Sequence, residues 1–125
     1  EIGDHVAIAA GTEFITHDGA NWVFEDEVDG GGIFGRIRIG NNVFIGINCI
    51  ILPNTIIGDN CIVGAGSVVR GQIPENSVIA GNPAQIVSKT GVQRMLSKQS
   101  PDLLKTKGCT VEQKDKMVRD HFGIK

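Results

Sequence analysis

A gap-free repeat of six residues runs from Ile39 to Pro74 and constrains the fold more than any other feature of this sequence. The units read IGNNVF, IGINCI, ILPNTI, IGDNCI, VGAGSV and VRGQIP. Ile or Val opens each unit, Asn and then Gly fills the fourth position of the first five, and their fifth residue is small or β-branched. So short a repeat is typical of a β-solenoid, in which stacked coils replace a single globular core.

The repeat also predicts which side chains face inward. The aliphatic first position and the small fifth position would stack on their equivalents one coil away, and Asn or Gly would turn each corner at φ > 0. Three sides then close a coil of about eighteen residues. The sequence therefore predicts three stacked aliphatic pairs: Ile39 with Ile57, Ile45 with Val63, and Ile51 with Val69.

The same register opens the chain, with apolar residues at positions 2, 8 and 14, and it then breaks until Ile39. Ile2 and Ile39 are 37 residues apart, which implies an insertion of about 19 residues in one coil. We place it at about residues 18–38, as a surface excursion from a corner. It holds the only Trp and an acidic cluster, so we expect it to pack on a neighbour or over a ligand.

His17 lies at the root of this excursion, in the fourth position of its hexapeptide. His5 occupies the equivalent slot, and His is tolerated at φ > 0, so the slot alone favours a structural role for both. Only His17 stands where the coil opens into a long loop, beside Asp18 and within reach of Glu25 and Asp26. A histidine there could act as a general base, with its ring oriented by a carboxylate or a backbone carbonyl.

Composition limits the other possibilities. The length of 125 residues fits one domain, and a formal net charge of −2 gives no footprint for nucleic acid or anionic lipid. We see no apolar run of the ~20 residues that span a membrane and no signal peptide. Because the chain begins in register at Glu1, we expect upstream residues to be missing. Cys49 and Cys61 occupy inward positions, which predicts core thiols and a cytoplasmic location.

The composition changes after Ser88, where the spacing of apolar residues becomes helical. Thr110 and Gln113 form a weak capping-box signal. We therefore predict a β-helical domain at 1–87 and a helical tail at 88–125 that covers the open end of the solenoid. His121 is expected to be a surface or packing residue.

Two segments carry a resemblance to a known family. The run IGNNVFIGINCIILPNTIIGDNCIVGAGSVV, followed by IPENSVIAGNPAQIV, resembles the hexapeptide-repeat acyltransferases, whose fold is a left-handed parallel β-helix. ITHDGANWVF resembles the histidine segment of the branch that O-acetylates sugars of capsular, colanic or O-antigen polysaccharide precursors. The resemblance covers roughly residues 1–90 and implies a left-handed parallel β-helix. Together with the insertion and the helical spacing after Ser88, the predicted fold is an all-β solenoid with a long loop excursion and a short C-terminal helical tail.

The resemblance further implies a homotrimer that binds acetyl-CoA between adjacent subunits and needs no metal. His17 would deprotonate an acceptor hydroxyl, and the backbone N–H of Gly46 would stabilise the oxyanion. The residues that the resemblance places along acetyl-CoA are Phe44, Ile47, Gly64, Ala65, Arg70, Pro83 and Lys89, the last three near its nucleotide end. Those placed near the acceptor are Asp18, Trp22, Phe24 and Glu25. Many relatives carry Thr-Lys where this chain has Arg70-Gly71.

Three alternatives remain open at the level of sequence. An N-acetyltransferase acting on an amino sugar would use the same site. A metal-dependent β-helix enzyme would need three histidines between subunits, and this chain has His5, His17 and His121. A non-catalytic solenoid used for assembly is the third, and failure to bind acetyl-CoA would favour it.

Overall fold

The computed structural model describes every residue from Glu1 to Lys125, and the chain divides into two compact units, Glu1–Gln93 and Arg94–Lys125. Two α-helices, α1 (Thr90–Gln99) and α2 (Val111–Phe122), follow thirteen short strands. The strands are β1 Val6–Ile8, β2 Glu13–Phe14, β3 His17–Asp18, β4 Ile33–Phe34, β5 Arg38–Ile39, β6 Val43–Ile45, β7 Ile50–Ile51, β8 Ile56–Ile57, β9 Ile62–Val63, β10 Val68–Val69, β11 Gln72–Ile73, β12 Ser77–Gly81 and β13 Ala84–Lys89.

The repeat builds three parallel sheets that the chain visits in turn. Sheet A contains β5, β8 and β11; sheet B contains β1, β6, β9 and β12, with β13 added antiparallel; sheet C contains β2, β7 and β10. We call one passage through the three sheets a coil. The predicted aliphatic pairs are confirmed by the register: Ile39 pairs with Ile57, Ile45 with Val63, and Ile51 with Val69.

The core of the first unit is the column of inward side chains. Ile45, Ile51 and Val63 are 0% exposed, and burial of each such side chain contributes roughly 1.5–3 kcal/mol. The small inward slot also takes polar side chains, because their hydroxyls find backbone partners. Thr55 Oγ1 donates to Leu52 O at 2.6 Å, and Ser67 Oγ donates to Gly64 O at 2.6 Å. Cys49 and Cys61 are buried, as predicted.

Three kinds of corner join the sheets. The asparagine corner, from sheet A to sheet B, is turned at φ between 54° and 59° by His5, Asn42, Asn60 and Asn76. The small-residue corner, from B to C, consists of residues 9–11, 46–48 and 64–66. The excursion corner, from C back to A, consists of residues 16–36, 52–55 and 70–71. The left-handed conformation predicted for His5 is confirmed.

The insertion occupies residues 17–35, which we call the excursion. The predicted bounds of 18–38 were too late, because the backbone N–H of Gly35 already donates to Thr16 O at 2.8 Å and Ile37 is 7% exposed in the core. His17 does not turn a corner at φ > 0: it lies in β3, which pairs antiparallel with β4. The prediction that His17 and His5 occupy equivalent positions of the repeat was therefore wrong.

The last coil departs from the repeat at Arg70 and Gly71. β10 and β11 are joined by these two residues, whereas β7 and β8 are joined by the four residues 52–55. The N–H of Ile56 still donates to Gly71 O at 2.9 Å, so the sheets stay in register across the shorter corner. This departure was missed by the prediction of a regular sixth unit.

The C-terminal helices begin where the composition predicts them. At the start of α2 the Thr110 hydroxyl accepts from the Gln113 N–H at 3.2 Å, and the Gln113 side chain accepts from the Thr110 N–H at 2.8 Å, which confirms the capping box. The covering role of the tail stays a prediction. No helix is long and apolar enough to cross a bilayer.

Candidate active site

The excursion holds His17 on a short ribbon at its root. His17 pairs with Phe34 across β3 and β4, and the two ring centroids are 6.1 Å apart. The return of the ribbon packs closely on the next coil, because a Cβ at Gly35 would lie 2.6 Å from Asn54 Oδ1. His17 is exposed, and neither of its ring nitrogens has a hydrogen-bond partner within the chain. Both nitrogens are therefore accessible to a ligand.

The carboxylates expected to orient His17 form no hydrogen bond with its ring. Asp18 Oδ1 accepts a hydrogen bond from the Ala20 N–H at 2.8 Å, which starts the 3₁₀ segment Ala20–Glu27. Trp22 (77% exposed), Phe24 (45% exposed) and Glu25 lie in that segment. No hydrogen bond joins any of these side chains to the histidine ring, so within a single chain neither a carboxylate nor a backbone carbonyl orients it.

The small-residue corner forms a column along the axis of the coils. It brings together Gly46, the predicted oxyanion donor, and four of the predicted acetyl-CoA residues: Ile47, Gly64, Ala65 and, in the turn after β12, Pro83. The N–H of Gly66 donates to Ile47 O at 2.8 Å, which fixes one layer on the next. Gly46 is required by this stacking, since a Cβ there would lie 2.6 Å from Ala65 N.

Gly46 cannot supply the oxyanion donor that the resemblance implied. Its N–H donates to Val63 O at 2.9 Å, inside the ladder between coils. Gly40, Gly58 and Gly64 occupy the same slot, and each donates in the same way. The next amide, Ile47, makes no hydrogen bond within the chain, and its side chain is 49% exposed.

Phe44 lies on the outward face of sheet B, where it is 49% exposed and pairs with Ala7 and Ile62. It lines a groove of about 390 Å³ that also includes His5 and Thr90. The Thr90 hydroxyl donates to Asn60 O at 2.6 Å. The other lining residues belong to or flank β1, β6 and β9 of sheet B.

The remaining predicted residues are not on the small-residue column. Lys89 pairs with Ser77 at the far end of sheet B, beside the asparagine corner. Arg70 lies on the excursion corner, where it lines a pocket together with Asp18. Of the three residues expected at the nucleotide end, only Pro83 lies on the column.

His17 and Ile47 do not meet within one chain. His17 leaves the excursion corner, and Ile47 lies on the small-residue corner, so one full side of sheet C separates them. About six residues form that side, and they span up to roughly 20 Å. No group of three His, Cys, Asp or Glu side chains is placed to hold a metal.

Comparisons with known proteins match this architecture. Residues 36–71 match the family model described as bacterial transferase hexapeptide (six repeats). Protein CapG of Staphylococcus aureus is 55% identical over 85 residues, which make up 68% of this chain and 49% of CapG. WbbJ of Escherichia coli (strain K12) is described as a candidate lipopolysaccharide biosynthesis O-acetyl transferase. It is 47% identical over 53 residues, which make up 42% of this chain and 27% of WbbJ.

Among solved structures, a galactoside acetyltransferase in complex with coenzyme A aligns with a TM-score of 0.70 and 34% identity. The alignment covers 81% of this chain and 50% of that protein. This chain therefore spans about half the length of CapG and of the galactoside acetyltransferase.

Proposed function

Because the chain belongs to the hexapeptide-repeat transferase family, we propose that it transfers the acetyl group of acetyl-CoA to a hydroxyl of a sugar. The observation that carries this proposal is the alignment with a galactoside acetyltransferase in complex with coenzyme A, which covers 81% of this chain. The similarity to WbbJ supports an acceptor from polysaccharide biosynthesis. The same relatives support a left-handed β-helix for the three parallel sheets.

His17 is the base in this proposal. It removes the proton from the acceptor hydroxyl while the oxygen attacks the thioester carbonyl. When the carbon–sulfur bond breaks, the imidazolium returns the proton to the departing sulfur, so that an ester and a free thiol are formed. The exposed ring of His17, which has no partner in the chain, supports this role.

The Ile47 amide replaces Gly46 as the proposed oxyanion donor. A donor must be aimed at the developing charge and must not be engaged elsewhere. The Ile47 N–H meets the second condition, whereas the Gly46 N–H is bound to Val63 O. Ala65 and Gly66 lie directly above Ile47 on the column, and their small size leaves room for an extended pantetheine arm.

The proposed site lies between subunits, since His17 and Ile47 lie at opposite ends of sheet C in one chain. It is completed when the excursion corner of one copy lies against the small-residue corner of the next. Such a contact uses two different surfaces, and it closes into a ring when the rotation permits. The triangular section of the coils favours a ring of three, so we propose a homotrimer with three equivalent sites.

The test compares His17→Asn with His5→Asn. The first should lower kcat by about 10²–10⁴ with little change in the KM for acetyl-CoA, since a general base contributes about that factor. The second keeps a residue suited to φ > 0 and should keep full activity. Release of coenzyme A thiol in the presence of a panel of sugars and amino sugars measures both. Equal activity of His17→Asn and the parent would overturn the assignment of the base.

Mixing two inactive variants tests the shared site. His17→Asn removes the base, and Ala65→Trp fills the small-residue column. Co-refolded trimers should regain about a quarter of the parent activity, because half of the bases and half of the columns at random interfaces are intact. No recovery from well-folded mixed trimers would place the whole site in one chain.

A further inference from the structure

A second polar pocket lies under the excursion, apart from the small-residue column. It has a volume of about 290 Å³ and is lined by Asp18, Ile33, Pro53, Asn54, Arg70 and Gly71. Asp18 and Ile33 belong to β3 and β4, so this pocket adjoins the ribbon that carries His17. The other four residues come from the excursion corner of the two following coils.

The short corner at Arg70 and Gly71 forms one wall of this pocket. The equivalent corner one coil earlier contains four residues, 52–55. On the opposite wall, Gly35 and Asn54 are in close contact, which fixes the base of the excursion against the coil. The pocket is therefore built by regular elements and not by the tip of the loop.

Arg70 gives the pocket its chemistry. Its guanidinium forms no ion pair and no hydrogen bond within the chain, whereas Arg38, on sheet A, pairs with Glu1 at 3.8 Å. The Asn54 side chain also has no hydrogen-bond partner, and only one oxygen of Asp18 is engaged, by the Ala20 N–H. A guanidinium matches the geometry of a carboxylate or phosphate, and the amide and the second carboxylate oxygen suit hydroxyls.

The negative charge of the surrounding unit restricts anion binding to the neighbourhood of Arg70. Glu1–Gln93 contains ten Asp or Glu residues and four Lys or Arg residues, a net charge of −6. Such a unit repels anions from most of its surface. Binding of an anion at this place therefore depends on Arg70, which lines the pocket together with Asp18 and forms no ion pair.

From this geometry we propose that the pocket holds the anionic group of an acidic sugar acceptor, with its carboxylate or phosphate on Arg70 and its hydroxyls on Asp18 and Asn54. The proposal rests on the transfer reaction proposed above and names its acceptor class. The volume of about 290 Å³ is at the lower end for ligand pockets, which favours one sugar ring over a nucleotide. Arg70 is then a specificity residue for the acceptor.

Binding measurements without acetyl transfer test this directly. Methyl glucuronoside and methyl glucoside differ in one carboxylate, and each is titrated into the full chain by ligand-observed NMR. The parent should bind the glucuronoside at least tenfold more tightly than the glucoside. Arg70→Gln should abolish that preference, Arg70→Lys should restore part of it, and Arg38→Gln, an exposed arginine on another face, should leave it unchanged.

The phosphates of coenzyme A are the other source of the same anionic chemistry, and a second arm separates the two. Calorimetry with coenzyme A should give the same affinity, within twofold, for the parent and Arg70→Gln. A tenfold loss of coenzyme A affinity, or equal binding of the two glycosides by the parent, would overturn the proposal. Failure to acetylate any sugar while the glucuronoside preference persists would count against the transferase function alone.

Discussion

The asparagine corner and the excursion corner are made by the same repeat, yet they differ in how their polar groups are satisfied. At the asparagine corner, His5 Nδ1 lies 2.8 Å from Asn42 Oδ1, Asn42 donates to Asn60 at 2.8 Å, and Asn60 donates to Asn76 at 3.2 Å. These contacts run along the corner from one coil to the next. At the excursion corner, Asn54 and Arg70 have no such partners. The first corner is built for stability, and the second leaves its polar groups for a ligand.

Removing the excursion is the strongest way to test this contrast. A variant that lacks residues 17–35 and carries Arg36→Asn has a regular coil, because 37 minus 19 residues leaves the 18 between Ile2 and Ile39. We expect acetyl transfer to fall at least 10³-fold, since the base is gone. The free energy of unfolding should change by less than about 1 kcal/mol, because a shorter loop is slightly cheaper to close. Urea denaturation followed by circular dichroism measures it, and a collapse of the fold would contradict the view that this corner is dispensable.

Substitution of Asn60, in the row of hydrogen-bonded side chains at the asparagine corner, should have a smaller effect, and on stability only. Asn60→Ala loses two side-chain hydrogen bonds and places Ala at φ 56°, which should cost about 2–4 kcal/mol. Asn54→Ala meets a similar φ of 62° but loses no hydrogen bond, and it should cost about 1–2 kcal/mol. Equal costs would mean that the side-chain ladder adds nothing.

Asn60→Gly separates the two contributions. Glycine adopts φ > 0 without strain, so the remaining loss reports the hydrogen bonds alone. Acetyl transfer should be unchanged in the two Asn60 variants under conditions where they are folded.

The smallest effect concerns Cys61, which lies in the core just past the asparagine corner. Burial raises the pKa of the Cys61 thiol above its ordinary value of 9.0, and the nearby charge of Asp59 adds to the rise. Because the folded pKa is raised, this stabilisation is complete below pH 9 and is lost as the pH rises through the folded pKa. Urea titrations from pH 8 to pH 10.5 should show a steeper loss for the parent than for Cys61→Ser. Cys109→Ser, a change at a less buried thiol, should behave as the parent, and parallel curves for all three would contradict the assignment.

Much of the fold follows from periodicity alone. Six residues per side and eighteen per coil determined the stacked pairs, and the spacing of 37 residues between Ile2 and Ile39 gave the size of the excursion before its bounds were known. The short corner at Arg70 was less visible, although VRGQIP carries Gln where the earlier units carry Asn or Gly. That substitution was the available signal of a broken register.

The site was harder to predict, because it depends on which backbone groups remain unbonded. Small residues at Gly46 and Gly64 suggested room for a ligand, but both are needed by the coil above them. The repeat itself indicates this, because the backbone N–H of the second residue of a unit donates to the next coil at Gly40, Gly46, Gly58 and Gly64 alike. No sequence pattern showed that Asp18 would bind Ala20 and leave His17 without an orienting partner, since that contact arises inside a loop of unique sequence.

The insertion also sets the order in which the coils close. Ile45 and Val63 meet across 18 residues of chain, whereas Ile2 and Ile39 meet across 37, so pairing the first coil carries about 0.6 kcal/mol more loop entropy. The strands of the later coils should pair first. The first coil should dock on them last and open most often. Amide hydrogens around Val6 and Ile15 would then exchange well before those of Ile45, which means that the segment proposed to carry the chemistry is also the one that assembles last.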